Sequence, residues 1–415
     1  MKNKTPPYLT GRFFDGISSG LFMMALPWII LQTPNMGTFV ALTALACTAI
    51  SFVLTPIFST HIDRRSRKSL LILNQVIQSA TAMTVVILYW LGWQSHWILA
   101  GAQLLFWVSS NFAWQTNNAF TQENYDKEEY ASISGYQEVI MQTTTLGAGA
   151  LGIVLLEHWG MVEFGLFAST ASGIAALAYV ATPYRQRIKT QLKQSFSAQV
   201  FESASIFKQA PQFYLFLLLS SLSYPILTFL GKLVPIWFAE NNIEGSWYAA
   251  YNISFGAGSL LTGLLVSRIL SRFQHQHAMQ TSMFILVLML LGMAIFPHPI
   301  YLIAFTFGFG FFNATNRIAR VNLMHHTVSV HQRGRVDGGI TMFSTLAQSL
   351  SYVVIALLSH YQYTEYGFYI AALVVLIASV MMLASSNSSN RTTINNTFKS
   401  KDSKATPAAT HKAHA

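Results

Sequence analysis

Apolar residues fall along this chain in long unbroken blocks, not in the short alternation of a half-buried strand or the single stripe of a surface helix. A helix needs roughly 20 residues to cross about 30 Å of hydrocarbon. Blocks of that length predict spanning helices over 13–32, 38–59, 69–91, 97–119, 132–156, 163–183, 213–238, 247–267, 278–296, 300–319, 339–358 and 365–384, twelve in all. Pro27, Pro56, Pro225, Pro235, Gly256 and Gly258 fall inside these blocks, which membrane helices tolerate. Lys2, Lys4 and Arg12 ahead of the first block resemble the start of a signal peptide. The apolar run from Phe13 to Leu31 is too long for one and no small-x-small cleavage site follows it, so an uncleaved first helix is expected.

The polar breaks organise the blocks. The longest internal break, 184–212, separates six blocks from six, giving an N-terminal half over 1–183 and a C-terminal half over 213–384. The halves echo each other: Ser59-Thr60-His61-Ile62-Asp63-Arg64 after the second block is matched by Ser267-Arg268-Ile269-Leu270-Ser271-Arg272 after the eighth. The pattern predicts an all-α integral membrane protein of two pseudo-symmetric six-helix halves. The tail 385–415, rich in Ser, Asn, Thr, Lys and Ala, is expected to be disordered.

Composition agrees. The chain is 52% hydrophobic and 10% charged, where soluble domains carry roughly 25% charged residues. All but two of the 25 Lys and Arg lie in the breaks 1–12, 60–68, 120–131, 184–212, 268–277, 320–338 and 385–415. The exceptions are Arg317, within a turn of a break, and Lys232. Lys and Arg collect on the cytoplasmic side of membrane proteins, so both termini are expected in the cytoplasm of a bacterial cell, under its inner membrane. The net charge of +10 therefore answers to a lipid bilayer and not to nucleic acid. The break 120–131 dissents, setting Glu123, Asp126, Glu128 and Glu129 against Lys127. Trp90, Trp93, Trp97, Trp159, Trp237 and Trp247 sit at predicted outer helix ends, as an aromatic belt would. The single cysteine, Cys47, can form no internal disulfide.

One break carries a motif. Ser59 through Lys68 resembles the Gly-x-x-x-Asp-Arg-x-Gly-Arg-Arg/Lys signature of the major facilitator superfamily. Asp63, Arg64, Arg67 and Lys68 match it, while Ser59 and Ser66 replace its glycines. Arg12-Phe13-Phe14-Asp15 through Ala25-Leu26-Pro27-Trp28 is similar to the opening of the branch that holds bacterial siderophore exporters and macrolide efflux proteins, and Arg333-Gly334-Arg335-Val336 is a third echo. The resemblance implies a secondary transporter that rocks its halves about a midplane site. It also implies that Asp63 latches the cytoplasmic gate against the start of the eleventh helix, near Gly338, with Arg335 close by. An aspartate against a positive helix N-terminus gives that latch a physical basis; the competing reading is a plain positive-inside anchor. Gly147-Ala148-Gly149-Ala150-Leu151-Gly152 is similar to an antiporter motif lacking its proline, and close helix packing explains it equally well.

Ionisable and amide side chains inside lipid are costly and point to function. Lys232 is a candidate anchor for a substrate carboxylate, or else a lysine snorkelling to the outer interface. Asp15 and Glu138 are candidate proton carriers; a local pair with Arg12 and an interhelical hydrogen bond are the respective alternatives. Asn111, Gln115, Tyr224, Tyr251, Asn252 and Asn313 are candidate cavity-lining residues, with polar glue between helices as the alternative. The chain has no Gly-x-x-x-x-Gly-Lys-Ser/Thr loop and no His-Glu-x-x-His, so no ATP, no metal and no other cofactor is expected. The resemblance to the exporter branch implies outward transport of a small molecule, a siderophore first and a macrolide or other drug second; Lys232 suits a carboxylate-bearing one, and a monomer coupled to protons is expected. The alternative from another class is an integral-membrane lipid-modifying enzyme, for which only the acidic cluster 123–129 speaks.

Overall fold

The computed structural model describes residues 4–126, 129–184, 205–328 and 330–402. These residues form helices joined by short turns, with no strand among them. In chain order the helices are α1 (Thr5–Leu31), α2 (Gly37–Arg64), α3 (Arg67–Trp90), α4 (His96–Asn124), α5 (Tyr130–Trp159) and α6 (Met161–Ala181). They continue with α7, made of Pro211–Ser221 and Ser223–Glu240 on either side of Leu222, then α8 (Gly245–Arg272), α9 (His275–Ile295), α10 (Pro299–Thr327), α11 (Val330–His360) and α12 (Tyr366–Asp402).

Local chemistry sets the starts and turns. Prolines occupy the first helical positions of α1, α7 and α10, where the missing N–H costs nothing. The Ser66 and Ser95 hydroxyls accept backbone N–H groups at the starts of α3 and α4. Gly160, at φ 85°, lets α5 turn directly into α6.

Among the described residues nine helices are long and apolar enough to cross a membrane by length and composition alone. The other three are α4, α5 and α10, where amides and charges concentrate. Their polarity is affordable because a bundle interior, unlike lipid, can satisfy them.

The twelve helices form two halves with matching internal packing. In the first, α1 lies on α5 and α6, α3 on α4 and α6, and α2 on α4. Six helices on, α7 lies on α11 and α12, α9 on α10 and α12, and α8 on α10. The halves meet through α2 with α11 and through α5 with α8, which exchange under the same six-helix shift. All-α pseudo-symmetry is thus a property of the packing as well as of the sequence.

Three expectations need correction. Most helices outrun the predicted spans, α1 starting at Thr5 and α10 reaching Thr327, because an apolar block measures hydrocarbon thickness while a helix continues until its hydrogen bonding is interrupted. The tail is not coil from Ser385: α12 continues to Asp402, and no Gly or Pro between Gly367 and Pro407 interrupts it. Finally, Trp90, Trp93, Trp97 and Trp159 are exposed at one end as a belt, but Trp237 is buried in the second half against Phe238 and Phe368.

Candidate functional site

The two ends of the bundle differ in chemistry. One carries the tryptophans and the junctions α1–α2, α5–α6 and α11–α12; the other carries the basic breaks. Contacts between the halves close the aromatic end. Thr38 Oγ1 donates to the Ala356 carbonyl at 3.2 Å, and Gln362 Nε2 donates to Asn35 Oδ1 at 3.3 Å. Trp28 stacks on Tyr248 with ring centroids 5.6 Å apart, and Tyr251 stacks beneath Tyr248 at 6.3 Å. Gly37 faces Ser359 Oγ and Ile236 so closely that a Cβ would overlap both. The Glu240 carboxylate fixes Ser359 by accepting its hydroxyl at 2.9 Å, and it also accepts from Thr364. Replacing Gly37 with valine is therefore expected to hold this end apart. Spin labels at Asn35 and Gln362 should report a longer distance in Gly37→Val, and an unchanged distance would refute this role.

Below that plug, α2, α7 and α11 surround Lys232. The side chain is 8% exposed. Among the described residues it makes no hydrogen bond or ion pair, and the one titratable group set against it is the Cys47 thiol of α2. Cys47 also faces Tyr352 of α11, which sits against Tyr224 and Thr228 of α7 and accepts a 2.9 Å hydrogen bond from Gln348 Nε2. Lys232 therefore does not snorkel toward the outer interface. It stands where the two halves meet, facing the Cys47 thiol, which in turn faces the Tyr352 cluster of phenols, amide and hydroxyl. Nothing in the sequence singled out Cys47, Thr228, Gln348 or Tyr352. The available signal was Ser344, Gln348 and Tyr352 at four-residue spacing, one polar face on an apolar helix.

The other candidates lie apart from this chamber or are differently engaged. Tyr224 is the exception: it sits against Tyr352 in the Lys232 cluster while remaining 49% exposed. Tyr251 belongs to the aromatic plug, and Asn252 donates back to the Tyr248 carbonyl of its own helix at 3.0 Å. Asn111 is exposed and bonds the Trp107 carbonyl and Ser51, tying α4 to α2. Gln115 is partly exposed and Asn313 is buried. Asp15, 4% exposed, sits deep in the first half, paired with Arg12 at 3.2 Å and accepting from Gln75 Nε2 at 2.7 Å. It is a compensated carboxylate, and that geometry supports the local-pair reading. The side chains of Asp63, Arg64, Glu138 and Arg335 lie outside the described residues.

The described part of the signature loop is braced within the first half. Lys68 Nζ donates to the Val180 and Thr182 carbonyls at 2.8 Å each, capping the negative end of α6. Arg67 lies 3.5 Å from Glu123 and donates to the Ala119 carbonyl at 2.8 Å, and the Tyr184 hydroxyl donates to the same Glu123. Burial and the neighbouring Glu123 carboxylate push the Tyr184 phenol up to about 12. Glu129 takes a hydrogen bond from the Asp126 N–H and one from Lys4, each at 3.0 Å. These pairs account for the acidic break that dissented from its basic neighbours: Glu123 and Glu129 are internal counter-ions to motif and N-terminal cations, not evidence of an enzyme site.

The Asp126 N–H, and then Lys4, hold the Glu129 carboxyl below its ordinary value of 4.5. A lowered carboxyl contributes stability that is present above the ordinary value and is lost as pH falls through the lowered one. Glu129→Gln is thus expected to lower the melting midpoint at neutral pH, with the difference from the parent vanishing in acid. A difference that persisted in acid would contradict it.

In the fifth helix, Gly152 packs on the Leu21 side chain of α1 while Gly147 faces open space, so close packing explains one of the two described glycines of the motif; the surroundings of the third, Gly149, lie outside the described residues. Among the described residues no three His, Cys, Asp or Glu converge as a metal site.

Among the described residues, twelve helices pack as two pseudo-symmetric halves closed together at one end, with a cation between them that has no described partner, an arrangement that fits a membrane transporter. The Major Facilitator Superfamily model matches residues 8–317 and again 246–411, and the chain belongs to that family. Solved structures share the fold. A bacterial homologue of the iron transporter ferroportin in an inward-facing state aligns at TM-score 0.73 and 16% identity, over 92% of this chain and 98% of that one. A bacterial metal transporter aligns at 0.69 and 15%, over 93% and 99%. The nucleoside transporter NupG aligns at 0.69 and 15%, over 91% and 98%. No curated protein sequence matches the chain.

Proposed function

We propose that this transporter is a secondary exporter that carries a small carboxylate-bearing metabolite, a siderophore first, out across the bacterial cytoplasmic membrane in exchange for protons. One observation carries the reading: the Lys232 ammonium is buried between the halves with no counter-ion among the described residues. A buried charge is expensive unless paired, and an anionic substrate supplies the missing partner for as long as it is bound. The phenols and amide around it suit a polar, partly aromatic ligand. A cationic drug, or a bare metal ion such as the named neighbours handle, would meet repulsion there.

The orientation follows from charge, the basic end facing the cytoplasm. The closed aromatic end then faces outward, which supports a state that loads from inside. In the reverse state Asp63 would latch the basic end, with Arg64, Arg67, Lys68 and Arg335 about it. Arg67 and Lys68, anchored to α4 and α6, hold the loop that presents it. Proton coupling falls to Glu138 or, on losing its pairing with Arg12, to Asp15.

Mass spectrometry of culture supernatants from iron-starved cells tests the reading. Deleting the gene should remove one iron chelator from the medium and accumulate it inside the cells. An unchanged chelator profile would refute siderophore export and leave the transporter without this substrate.

A further inference from the structure

We propose that Arg320 is a second anion-binding site of this transporter, the station at which an acidic solute is first held on its way to Lys232. The proposal rests on the reading of Lys232 as a carboxylate anchor. It begins with a stripe: Asn313, Asn316, Arg317 and Arg320 follow an i, i+3, i+4, i+7 spacing and share one face of α10. That face meets α7 where the helix is interrupted at Leu222. Asn316 satisfies the interruption by itself. Its Nδ2 donates to the Ser220 carbonyl at 2.9 Å and to Ser223 Oγ at 3.0 Å, and its Oδ1 accepts from Ser220 Oγ at 2.9 Å.

Arg320 is left over from this arrangement. It is 8% exposed, and its one described hydrogen bond runs from Nη1 to Ser220 Oγ at a long 3.4 Å. A guanidinium carries five N–H donors in a planar fork. No carboxylate lies within ion-pair distance of it among the described residues. The charges that act on it are Arg317, which repels, and Asp337 at the start of α11, which attracts from farther off. A nearly buried guanidinium with a single long hydrogen bond among the described residues can take a carboxylate or phosphate in the bidentate manner. Arg317, exposed on the same face, adds positive potential that draws an anion in.

The position makes it a separate station. Its contact, Ser220, precedes Lys232 by 12 residues on α7, about 18 Å of helix at 1.5 Å per residue. The two cations thus meet α7 at points about three turns apart, as separate stations for a small acid. The acid can pass from one to the other along α7, held first at the basic end and then at the chamber.

The test is isothermal titration of the full-length protein in lipid nanodiscs with citrate as the probe. The parent should bind two citrates. Arg320→Gln should retain one and weaken the other by at least about tenfold, the usual worth of a charge-assisted hydrogen bond. Arg320→Lys, which keeps the charge and loses the fork, should fall between them, and guards against a folding defect in the glutamine variant. Lys232→Met should retain the Arg320 site. Two citrates bound to Arg320→Gln at parental affinity would overturn the proposal, as would loss of all binding in Lys232→Met; in both cases the Lys232 reading could stand. A parent that bound no citrate would overturn both readings together.

Discussion

Lys232→Met is expected to reduce substrate efflux from proteoliposomes to the level of empty vesicles while raising, or at least preserving, the melting midpoint of the protein. The two effects have one cause. The ammonium is buried without a partner among the described residues, and desolvating it costs several kcal/mol that no described ion pair offsets. Methionine fills nearly the same volume without that cost, so the fold gains on the order of 1–4 kcal/mol, as replacing buried ionic groups with apolar ones often does. The bound acid loses its only charge partner in the chamber, and transport fails. A residue kept at such a cost is kept for something other than stability. The outcome that would sink this argument is a Met variant that transports normally. A variant that neither transports nor folds would show instead that the lysine is structural.

The largest loss of stability is expected from Gly258→Val. The α8–α10 seam in the second half brings backbones into direct contact: a Cβ at Gly258 would overlap the Phe307 carbonyl and come within 3.0 Å of the Phe311 nitrogen. A Cβ at Gly310 would overlap the Phe255 carbonyl in the same way. Backbone cannot swing aside as a side chain does, so the helices must separate. Separation breaks the hydroxyl bonds along the seam, Ser254 to the Ile303 carbonyl at 2.6 Å and Thr262 to the Phe311 carbonyl at 2.7 Å. Overpacking alone costs roughly 1–3 kcal/mol, and the broken bonds deprive the Ser254 and Thr262 hydroxyls of these acceptors across the seam, where no water reaches. A large drop in the monodisperse fraction on size exclusion, and in melting midpoint, is the expected reading. Gly263→Val is the control, because it lies on the same helix but faces open space. Equal behaviour of the two variants would remove the close-approach explanation.

The amino-acid sequence by itself determined the number of crossings, the all-helical class, the six-plus-six organisation and the basic end. Each of these follows from local or additive properties: block length against hydrocarbon thickness, the period of the pattern, and the count of Lys and Arg in each break. It also named Lys232, because a lone cation in an apolar block is visible without any contact map. It could not say what that cation faces. Cys47, Tyr224, Thr228, Gln348 and Tyr352 come from three helices in both halves, and their convergence depends on the rotation of each helix about its axis. A uniformly apolar helix leaves that rotation unmarked, since lipid and bundle interior accept the same residues. Charge pairing was hidden for a similar reason. Glu123 and Glu129 read as an anomalous acidic break until packing set them beside Arg67 and Lys4. Arg320 read as one more basic residue beside a break until the interruption of α7 placed it, buried and under-bonded, on Ser220. The crossings were fixed by how much apolar chain there is, whereas the site was decided by which faces of those helices meet.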